Sequence, residues 1–262
     1  MAGRDGLDAL SDAVTHRWTA SDGVELAFHE TGAGRVVVLL HGLFSSADMN
    51  WIKFGHAERI AEAGFRVIMP DLRTHGLSSR PREAEHYPRG ILARDLFELV
   101  AQLGLDEFDL GGFSLGARTT VEGIGEEGLR PRRAILGGAG LEGLLNWKRR
   151  KTFFLEAIAM FEEKVPRSDP HWLSIQFMKS QGVDRVASGH LLESFEDTDE
   201  AWLKTFTMPT LVVCGSEDHD NGSAEELAAA LPNAIFREVP GTHMSSVTKP
   251  EFGQEIARFL SS

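Results

Sequence analysis

The sequence predicts an α/β fold in which a mostly parallel sheet of eight strands carries helices on both faces. Short apolar runs alternate with longer amphipathic runs through most of the chain. Several short runs are continuously apolar and β-branched, which is typical of strands that are buried on both faces. Strand followed by helix followed by strand, repeated several times, favours parallel pairing because each helix returns the chain to the same edge of the sheet.

Eight short segments are predicted as strands, and five longer ones as helices that cover the sheet. The strand 36–40 has the sequence VVVLL, and the turn Ser21-Asp22-Gly23 joins the first two strands as a hairpin. The predicted strands are 15–20, 24–30, 36–40, 65–69, 108–110, 133–136, 210–214 and 234–239. The predicted helices are 51–63, 90–103, 115–124, 223–231 and 250–260.

One region, 141–206, interrupts the alternation. It contains no convincing strand, but large apolar residues such as Phe153, Phe154, Ile158 and Phe161 recur at helical spacings. We expect a helical insertion over one edge of the sheet, with most of these residues packing its own small core and a minority lining a pocket. The chain is therefore divided into a core domain, 1–140 and 207–262, and a helical cap, 141–206.

Composition and charge exclude several classes of function. The 262 residues include 27 Lys and Arg against 39 Asp and Glu, so the net charge is −12 and nothing suggests a nucleic-acid-binding surface. The single cysteine, Cys214, excludes an internal disulfide framework and is expected to be a buried, inert thiol. The N-terminus, through Asp5, Asp8 and Asp12, lacks a secretory apolar stretch, and no run is long enough for a membrane span. We expect a cytoplasmic protein.

A serine is predicted as a nucleophile. The sequence GFSLG at 112–116 follows the predicted strand 108–110 and opens the predicted helix that begins at Leu115. A sharp strand-to-helix turn of this kind exposes its central serine, here Ser114, and the flanking glycines allow close packing. A Gly-x-Ser-x-Gly string also arises by chance, so its position between strand and helix carries the prediction.

A base and an acid are predicted at two later strand ends. His243 follows strand 234–239 in the sequence GTH at 241–243, and Asp218 follows strand 210–214 in the sequence GSED at 215–218. Side chains at the carboxyl ends of parallel strands meet at one edge of the sheet. His243 is therefore expected to take the serine proton and Asp218 to orient His243. A surface histidine and a solvated acidic loop, with Glu217 and Asp220 as competing carboxylates, are the alternatives.

Two backbone amides are predicted to stabilise a developing oxyanion. The sequence HGLF at 41–44 directly follows the buried strand 36–40, and Gly42 permits a turn that aims an amide towards the serine. The amides of Leu43 and Leu115 would then form a two-donor oxyanion hole. His41 is predicted to be structural, hydrogen-bonded beneath this turn, rather than a second base.

Together these motifs resemble the α/β-hydrolase family and, more narrowly, its capped, esterase-like serine hydrolases. The resemblance covers about 14–260. It implies an α/β-hydrolase fold with a cap at 141–206, a catalytic triad of Ser114, Asp218 and His243, and an oxyanion amide from the turn at 41–43. The sequence DLRTHGLS at 71–78 also resembles a family signature, although the family usually has glycine at the position of Thr74.

The expected reaction is hydrolysis of a small, apolar carboxylic ester through an acyl-enzyme intermediate. The same triad serves C–C bond hydrolases, lactonases, thioesterases and perhydrolases, which remain alternatives. A non-catalytic small-molecule receptor on a hydrolase scaffold is an alternative of another class. Epoxide hydrolases and haloalkane dehalogenases of the family use an aspartate nucleophile. Epoxide hydrolases also need cap tyrosines, whereas this chain has Ser114 and a single tyrosine, Tyr87, which precedes the cap.

No cofactor or metal is predicted, and the expected partner is a small-molecule substrate. The histidines are scattered without a His-x-x-x-His pattern, and Gly32-Ala33-Gly34 precedes a strand rather than a helix, unlike a phosphate-binding loop. The sequence KRRK at 148–151 is expected to be a solvated helix face, with an anionic substrate tail or partner as the alternative. No pattern specifies an oligomeric state.

Overall fold

The computed structural model describes residues 13–262, which form one eight-stranded sheet. The order of the strands across the sheet is β1-β2-β4-β3-β5-β6-β7-β8. The strands are β1 Val14–Thr19, β2 Glu25–Gly32, β3 Arg35–Leu40, β4 Phe65–Asp71, β5 Phe108–Phe113, β6 Ala134–Gly137, β7 Thr210–Gly215 and β8 Ala234–Val239. The predicted fold class and the eight strands are confirmed.

Only β2 runs against the other strands. It pairs antiparallel with both β1 and β4, whereas β3, β4, β5, β6, β7 and β8 are joined by parallel pairs. The carboxyl ends of β3, β5, β7 and β8 therefore lie at one edge of the sheet, where the four predicted motifs begin.

Helices cover both faces because side chains alternate along each strand. In β3, Val38 and Leu40 join one apolar cluster, whereas Val37 and Leu39 join another on the opposite face. The helices are α1 His56–Glu62, α2 Ile91–Gln102, α3 Leu115–Gly125, α4 Leu141–Leu145, α5 Lys148–Ala159, α6 Trp172–Ser180, α7 Arg185–Ser194, α8 Glu200–Leu203, α9 Ala224–Ala230, α10 His243–Ser246 and α11 Pro250–Leu260. α1 packs against α11, and α2 packs against α3.

The prediction of one continuous helix over 51–63 is wrong. The chain instead makes a π-helical turn at Asp48–Ile52 and then starts α1 at His56. Gly55 separates the two with φ of 71°, a left-handed conformation that interrupts a right-handed helix. The split lets the Trp51 side chain pack, fully buried, against Phe252 of α11.

The segment between β6 and β7 is helical, as its periodicity indicates. It contains α4 to α8, and its buried residues, such as Ile175 and Leu191, join the same apolar cluster as α2 and α3. Within residues 13–262, no helix is long and apolar enough to cross a lipid bilayer. The predicted absence of a secretory stretch at the N-terminus concerns residues 1–12, which lie outside the described residues.

The crossing of α3 over β3 is unusually close. A Cβ on Gly116 would lie 2.3 Å from the carbonyl oxygen of Leu40, and one on Gly112 would lie 2.4 Å from the carbonyl carbon of Gly116. Because backbone atoms cannot give way as a flexible side chain can, only glycine fits at either position. These contacts fix the start of α3 above the ends of β3 and β5.

Replacing Gly116 by alanine is therefore expected to lower the free energy of unfolding by about 3 kcal/mol or more, as overpacking of a rigid backbone contact does. Urea denaturation measures the loss. The matched control is Gly189→Ala, also within a helix, where a Cβ meets no atom within 4 Å. That variant should be neutral or slightly more stable, because alanine has the higher helix propensity. Equal stabilities of the two variants would contradict the packing argument.

Candidate active site

Ser114 lies at the junction of β5 and α3 in a strained backbone conformation. Its φ is 54° and its ψ is −110°, outside the regions that residues with a Cβ normally occupy. Strain of this kind costs about 1–3 kcal/mol and persists only where surrounding contacts enforce it. Here Gly112 and Gly116 allow strand and helix to close tightly, which projects the serine side chain from the turn.

Three side chains from three strand ends form one hydrogen-bonded row. His243 Nε2 lies 3.0 Å from Ser114 Oγ, and His243 Nδ1 lies 2.8 Å from Asp218 Oδ2. With Asp218 ionised, Nδ1 carries the ring proton and donates to the carboxylate, so Nε2 is left to accept the serine proton. The geometry therefore suits proton transfer from Ser114 to His243.

His243 is held by a short helix rather than by the simple loop that the sequence indicates. It is the first residue of α10, and the Thr242 side chain accepts a hydrogen bond from the Ser245 amide at the helix start. Ser245 Oγ in turn accepts a hydrogen bond from the Thr242 amide at 2.8 Å. The His243 ring also contacts the Phe113 ring, with 4.9 Å between ring centroids. Capping and ring contact together fix the imidazole beside Ser114.

Asp218 is the buried carboxylate of its loop, whereas Glu217 and Asp220 are exposed. Burial raises the pKa of Asp218, but the hydrogen bond and charge of His243 lower it, and the net pKa lies below the ordinary value. The Cys214 thiol lies 3.4 Å from Asp218 Oδ2 and donates to it. The sequence pattern does not predict this contact, because it depends on the direction of the Cys214 side chain.

The Leu43 and Leu115 amides are free to receive a negatively charged oxygen. In residues 13–262 neither N–H donates to a protein acceptor, whereas the neighbouring Gly42 and Phe44 amides are both occupied. The Cβ of Ser114 would lie 3.6 Å from a Cβ on Gly42, so the turn that carries Leu43 borders the serine. Leu115 directly follows Ser114 at the start of α3, where helix amides have no partner within the helix.

Comparison with known proteins agrees with this fold. The family model described as alpha/beta hydrolase fold matches residues 35–122. The non-heme haloperoxidase of Rhodococcus erythropolis is 27% identical over 93% of this chain and 98% of its own length. An esterase structure from Thermogutta terrifontis, with malate bound, is 26% identical, covers 95% of this chain and 98% of that chain, and has a TM-score of 0.70.

The chain has the α/β-hydrolase fold. The epoxide hydrolase of Caballeronia sordidicola is 37% identical, but over only 45% of this chain and 35% of that protein. Its match is therefore partial, whereas the haloperoxidase and esterase matches span nearly the whole chain. These similarities support a hydrolase. Because the relatives carry different names, the residues of the site must indicate which bond is cleaved.

Two buried histidines hold the turn that carries Leu43. His75 Nε2 accepts the Phe44 amide at 2.9 Å while its Nδ1–H donates to the Arg73 carbonyl. His41 Nδ1 donates to the Gly42 carbonyl at 2.8 Å, and its Nε2 accepts the Leu72 amide at 3.0 Å. The structural role predicted for His41 fits these bonds. The role of His75 was not foreseen.

Asp71 and Asn50 complete the support of the turn. Asp71 is buried and accepts the Ala47 and Leu77 amides, each at 2.8 Å. Asn50 accepts the Gly42 amide at 2.9 Å. The segment 71–78, singled out only as a family signature, thus positions the neighbouring segment 42–47.

Thr74 keeps the turn that glycine would make in the segment 71–78. Its φ is 75°, a left-handed value that is costly for a β-branched residue. Its amide nevertheless donates to the Ser79 carbonyl at 3.2 Å, and its hydroxyl lies 3.1 Å from His75 Nδ1. The turn therefore forms with threonine at this position and holds its hydroxyl beside His75.

Asp218, Asp220 and His243 form the one group of potential metal ligands in the described chain, with one ligand atom of each within 4.8 Å of the others. A metal ion on His243 Nδ1 would compete with the 2.8 Å hydrogen bond to Asp218. We therefore interpret the group as the hydrogen-bonded pair of Asp218 and His243, with a second carboxylate, Asp220, nearby.

The buried histidines predict a loss of stability in mild acid. Burial lowers the pKa of His75 to about 3, so the folded protein keeps this ring neutral, whereas the unfolded chain protonates it below about 6.5. Its contribution is fully present above pH 6.5 and is lost as the pH falls towards 3. Between pH 6 and 4.5 the wild type should lose about 2 kcal/mol more unfolding free energy than His75→Gln.

Urea denaturation of both proteins across this pH range measures the difference. Measurement at pH 7.5 separately gives the pH-independent cost of the substitution. Burial also lowers the pKa values of His41 and His56 and raises that of Asp95 to about 6, but these groups remain in both proteins. Parallel pH profiles would show that His75 is not held neutral.

Proposed function

We propose that this hydrolase cleaves small carboxylic esters with Ser114 as nucleophile, His243 as general base and Asp218 as the group that orients the base. The observation that carries the proposal is the row in which His243 bridges Ser114 Oγ at 3.0 Å and Asp218 Oδ2 at 2.8 Å. A serine hydroxyl is a weak nucleophile until an adjacent base accepts its proton, and this row supplies that base.

The proposed reaction has two halves. Ser114 Oγ attacks the ester carbonyl carbon as its proton moves to His243 Nε2, and the resulting oxyanion accepts hydrogen bonds from the Leu43 and Leu115 amides. The carbon–oxygen bond to the alcohol then breaks, and His243 returns the proton to the departing alcohol. Water attacks the acyl-enzyme by the same route, which releases the carboxylic acid and regenerates Ser114.

The segment 141–206 is proposed to act as the cap that covers this site. Its Phe154 ring contacts the Phe44 ring edge-on, with 5.6 Å between centroids, and stacks on Trp147 at 6.2 Å. Phe44 follows Leu43, so aromatic surface from the cap reaches the proposed oxyanion turn. This supports an apolar or aromatic group next to the ester carbonyl.

Perhydrolysis is a second candidate, because a relative that spans nearly the whole chain is named a haloperoxidase. Hydrogen peroxide would replace water in the second half of the reaction. One peroxide oxygen attacks the acyl carbon, the bond to Ser114 Oγ breaks, and the peroxide proton passes through His243 to Ser114. The product is a peracid, and the chemistry needs no residue beyond those already proposed.

Epoxide hydrolysis is less well supported. The nucleophile position carries Ser114, and the single tyrosine, Tyr87, is buried with its hydroxyl donating to the Pro81 carbonyl at 2.6 Å. That hydroxyl is therefore committed away from a substrate. C–C bond hydrolysis, lactonase and thioesterase activity remain compatible with the triad. A non-catalytic receptor would differ from all of these enzymes because it would not turn over any substrate.

Replacing Ser114 by alanine is expected to lower kcat for 4-nitrophenyl butyrate on the order of 10³-fold or more, because the nucleophile is lost. Labelling by a fluorophosphonate probe should disappear as well. The control is Ser21→Ala, an exposed serine in the turn between β1 and β2 whose hydroxyl bonds Glu98. A Ser114→Ala protein that turns over the ester like the wild type would refute the assignment.

A substrate panel is expected to rank short esters above the corresponding thioester, lactone and β-diketone. Adding hydrogen peroxide tests the second candidate, since perhydrolysis yields a peracid that oxidises bromide, measurable by halogenation of a phenolic dye. Probe labelling of Ser114 without turnover of any panel member would favour the receptor and contradict ester hydrolysis.

A further inference from the structure

Arg150 of α5 has hydrogen-bonding capacity that the protein does not use. It belongs to the basic run 148–151, but its side chain is only 16% exposed, against 68% for Arg149. Its Nε is fully buried and, among the described residues, has no acceptor. Its one hydrogen bond is a 3.3 Å contact from Nη1 to the Asp220 carbonyl. Most of its five N–H donors therefore remain uncommitted.

The position of Arg150 is next to the proposed catalytic residues. Its Nη1 lies 3.7 Å from Asp220 Oδ2, and Asp220 in turn forms a close group with Asp218 and His243. Its guanidinium also lies 5.1 Å from the centroid of the Phe154 ring, which contacts Phe44 of the oxyanion turn. Arg150 thus contacts the loop that carries Asp218 and also the Phe154 ring that packs on the turn carrying Leu43.

Asp220 does not form a close ion pair with the Arg150 guanidinium. Charge-assisted hydrogen bonds between a guanidinium and a carboxylate are about 2.7–2.9 Å long and are often bidentate, whereas this separation is 3.7 Å. The Asp220 side chain is 52% exposed, so water competes for its carboxylate. Burial lowers the pKa of Arg150, and the charges of Asp220 and Asp218 raise it. A partly buried guanidinium with free donors is stabilised when a planar anion binds it in a fork.

We propose that Arg150 binds an anionic carboxylate of the substrate, so that the enzyme prefers esters that carry a free carboxylate in addition to the ester group. This rests on the proposed ester hydrolysis at Ser114. Lys148 and Arg149, on the same helix, line a separate open groove of about 540 Å³ that Arg150 does not border.

Esters that are matched in shape and differ in charge test the proposal. For the acyl side, mono-4-nitrophenyl glutarate is compared with 4-nitrophenyl pentanoate, and for the alcohol side, 4-acetoxybenzoate with phenyl acetate. Arg150→Gln should lower kcat/KM about 10- to 100-fold for the anionic ester of one pair, mainly through KM, as loss of hydrogen bonds to a charged group does. The neutral esters should change less than about 3-fold. The affected pair identifies the side that carries the carboxylate.

Arg149→Gln is the matched control, because it removes the same charge from an exposed neighbour on the same helix. It should change neither ester pair by more than about 3-fold. Arg150→Lys keeps the charge without the planar fork and should recover part of the loss for the anionic ester. Equal losses for anionic and neutral esters in Arg150→Gln, or no loss for either, would overturn the proposal.

A binding measurement separates this proposal from the proposed function. Calorimetric titration of Ser114→Ala protein with glutarate should show binding that Ser114→Ala/Arg150→Gln lacks, and circular dichroism checks that both are folded. If the wild type hydrolyses no ester while glutarate binding still depends on Arg150, the anion site stands and ester hydrolysis is refuted. Esterase activity without any effect of Arg150 on glutarate binding or on anionic esters would do the reverse.

Discussion

The contact between Gly116 and the Leu40 carbonyl is the constraint on which the site depends. It holds the start of α3 against the end of β3. The residues adjacent to each of the two contacting residues belong to the site. Ser114 and Leu115 precede Gly116, while His41, Gly42 and Leu43 follow Leu40. A single backbone approach therefore sets the distance between Ser114 and the turn that carries Leu43. The strain at Ser114 persists because this contact leaves the chain no relaxed alternative.

Two neutral histidine rings hold the turn that carries Leu43. His41 and His75 are buried without a countercharge in direct contact, and burial lowers the pKa of each. Each ring keeps one nitrogen as an acceptor for a backbone amide, at Leu72 and Phe44 respectively. A charged ring would lose that acceptor, so the same burial that excludes protonation also keeps the turn in place. His243, by contrast, lies between the Asp218 carboxylate and the Ser114 hydroxyl.

The sheet and the sites of the four motifs could be predicted because both depend on local pattern. Apolar runs mark the strands, and parallel strands bring their ends together, which is where Ser114, Asp218 and His243 meet. The break at Gly55 was missed because apolar periodicity continues across it. The bond from Phe44 to His75 and the placement of Arg150 depend on loop conformation and on the packing of the helical segment, which no local pattern encodes. The cap role of that segment and the catalytic roles remain predictions.

The direct pairing of β6 with β7 has a consequence for how such a protein can diversify. Ala134 pairs with Thr210 and Gly137 with Val213, so the chain leaves and re-enters the sheet between adjacent strands. The five helices between them are topologically a single loop, and their replacement by a shorter or longer loop would leave every strand pair intact. The side chains that those helices present can then change by exchange of one contiguous piece of chain, while Ser114, Asp218 and His243 stay on the unaltered scaffold.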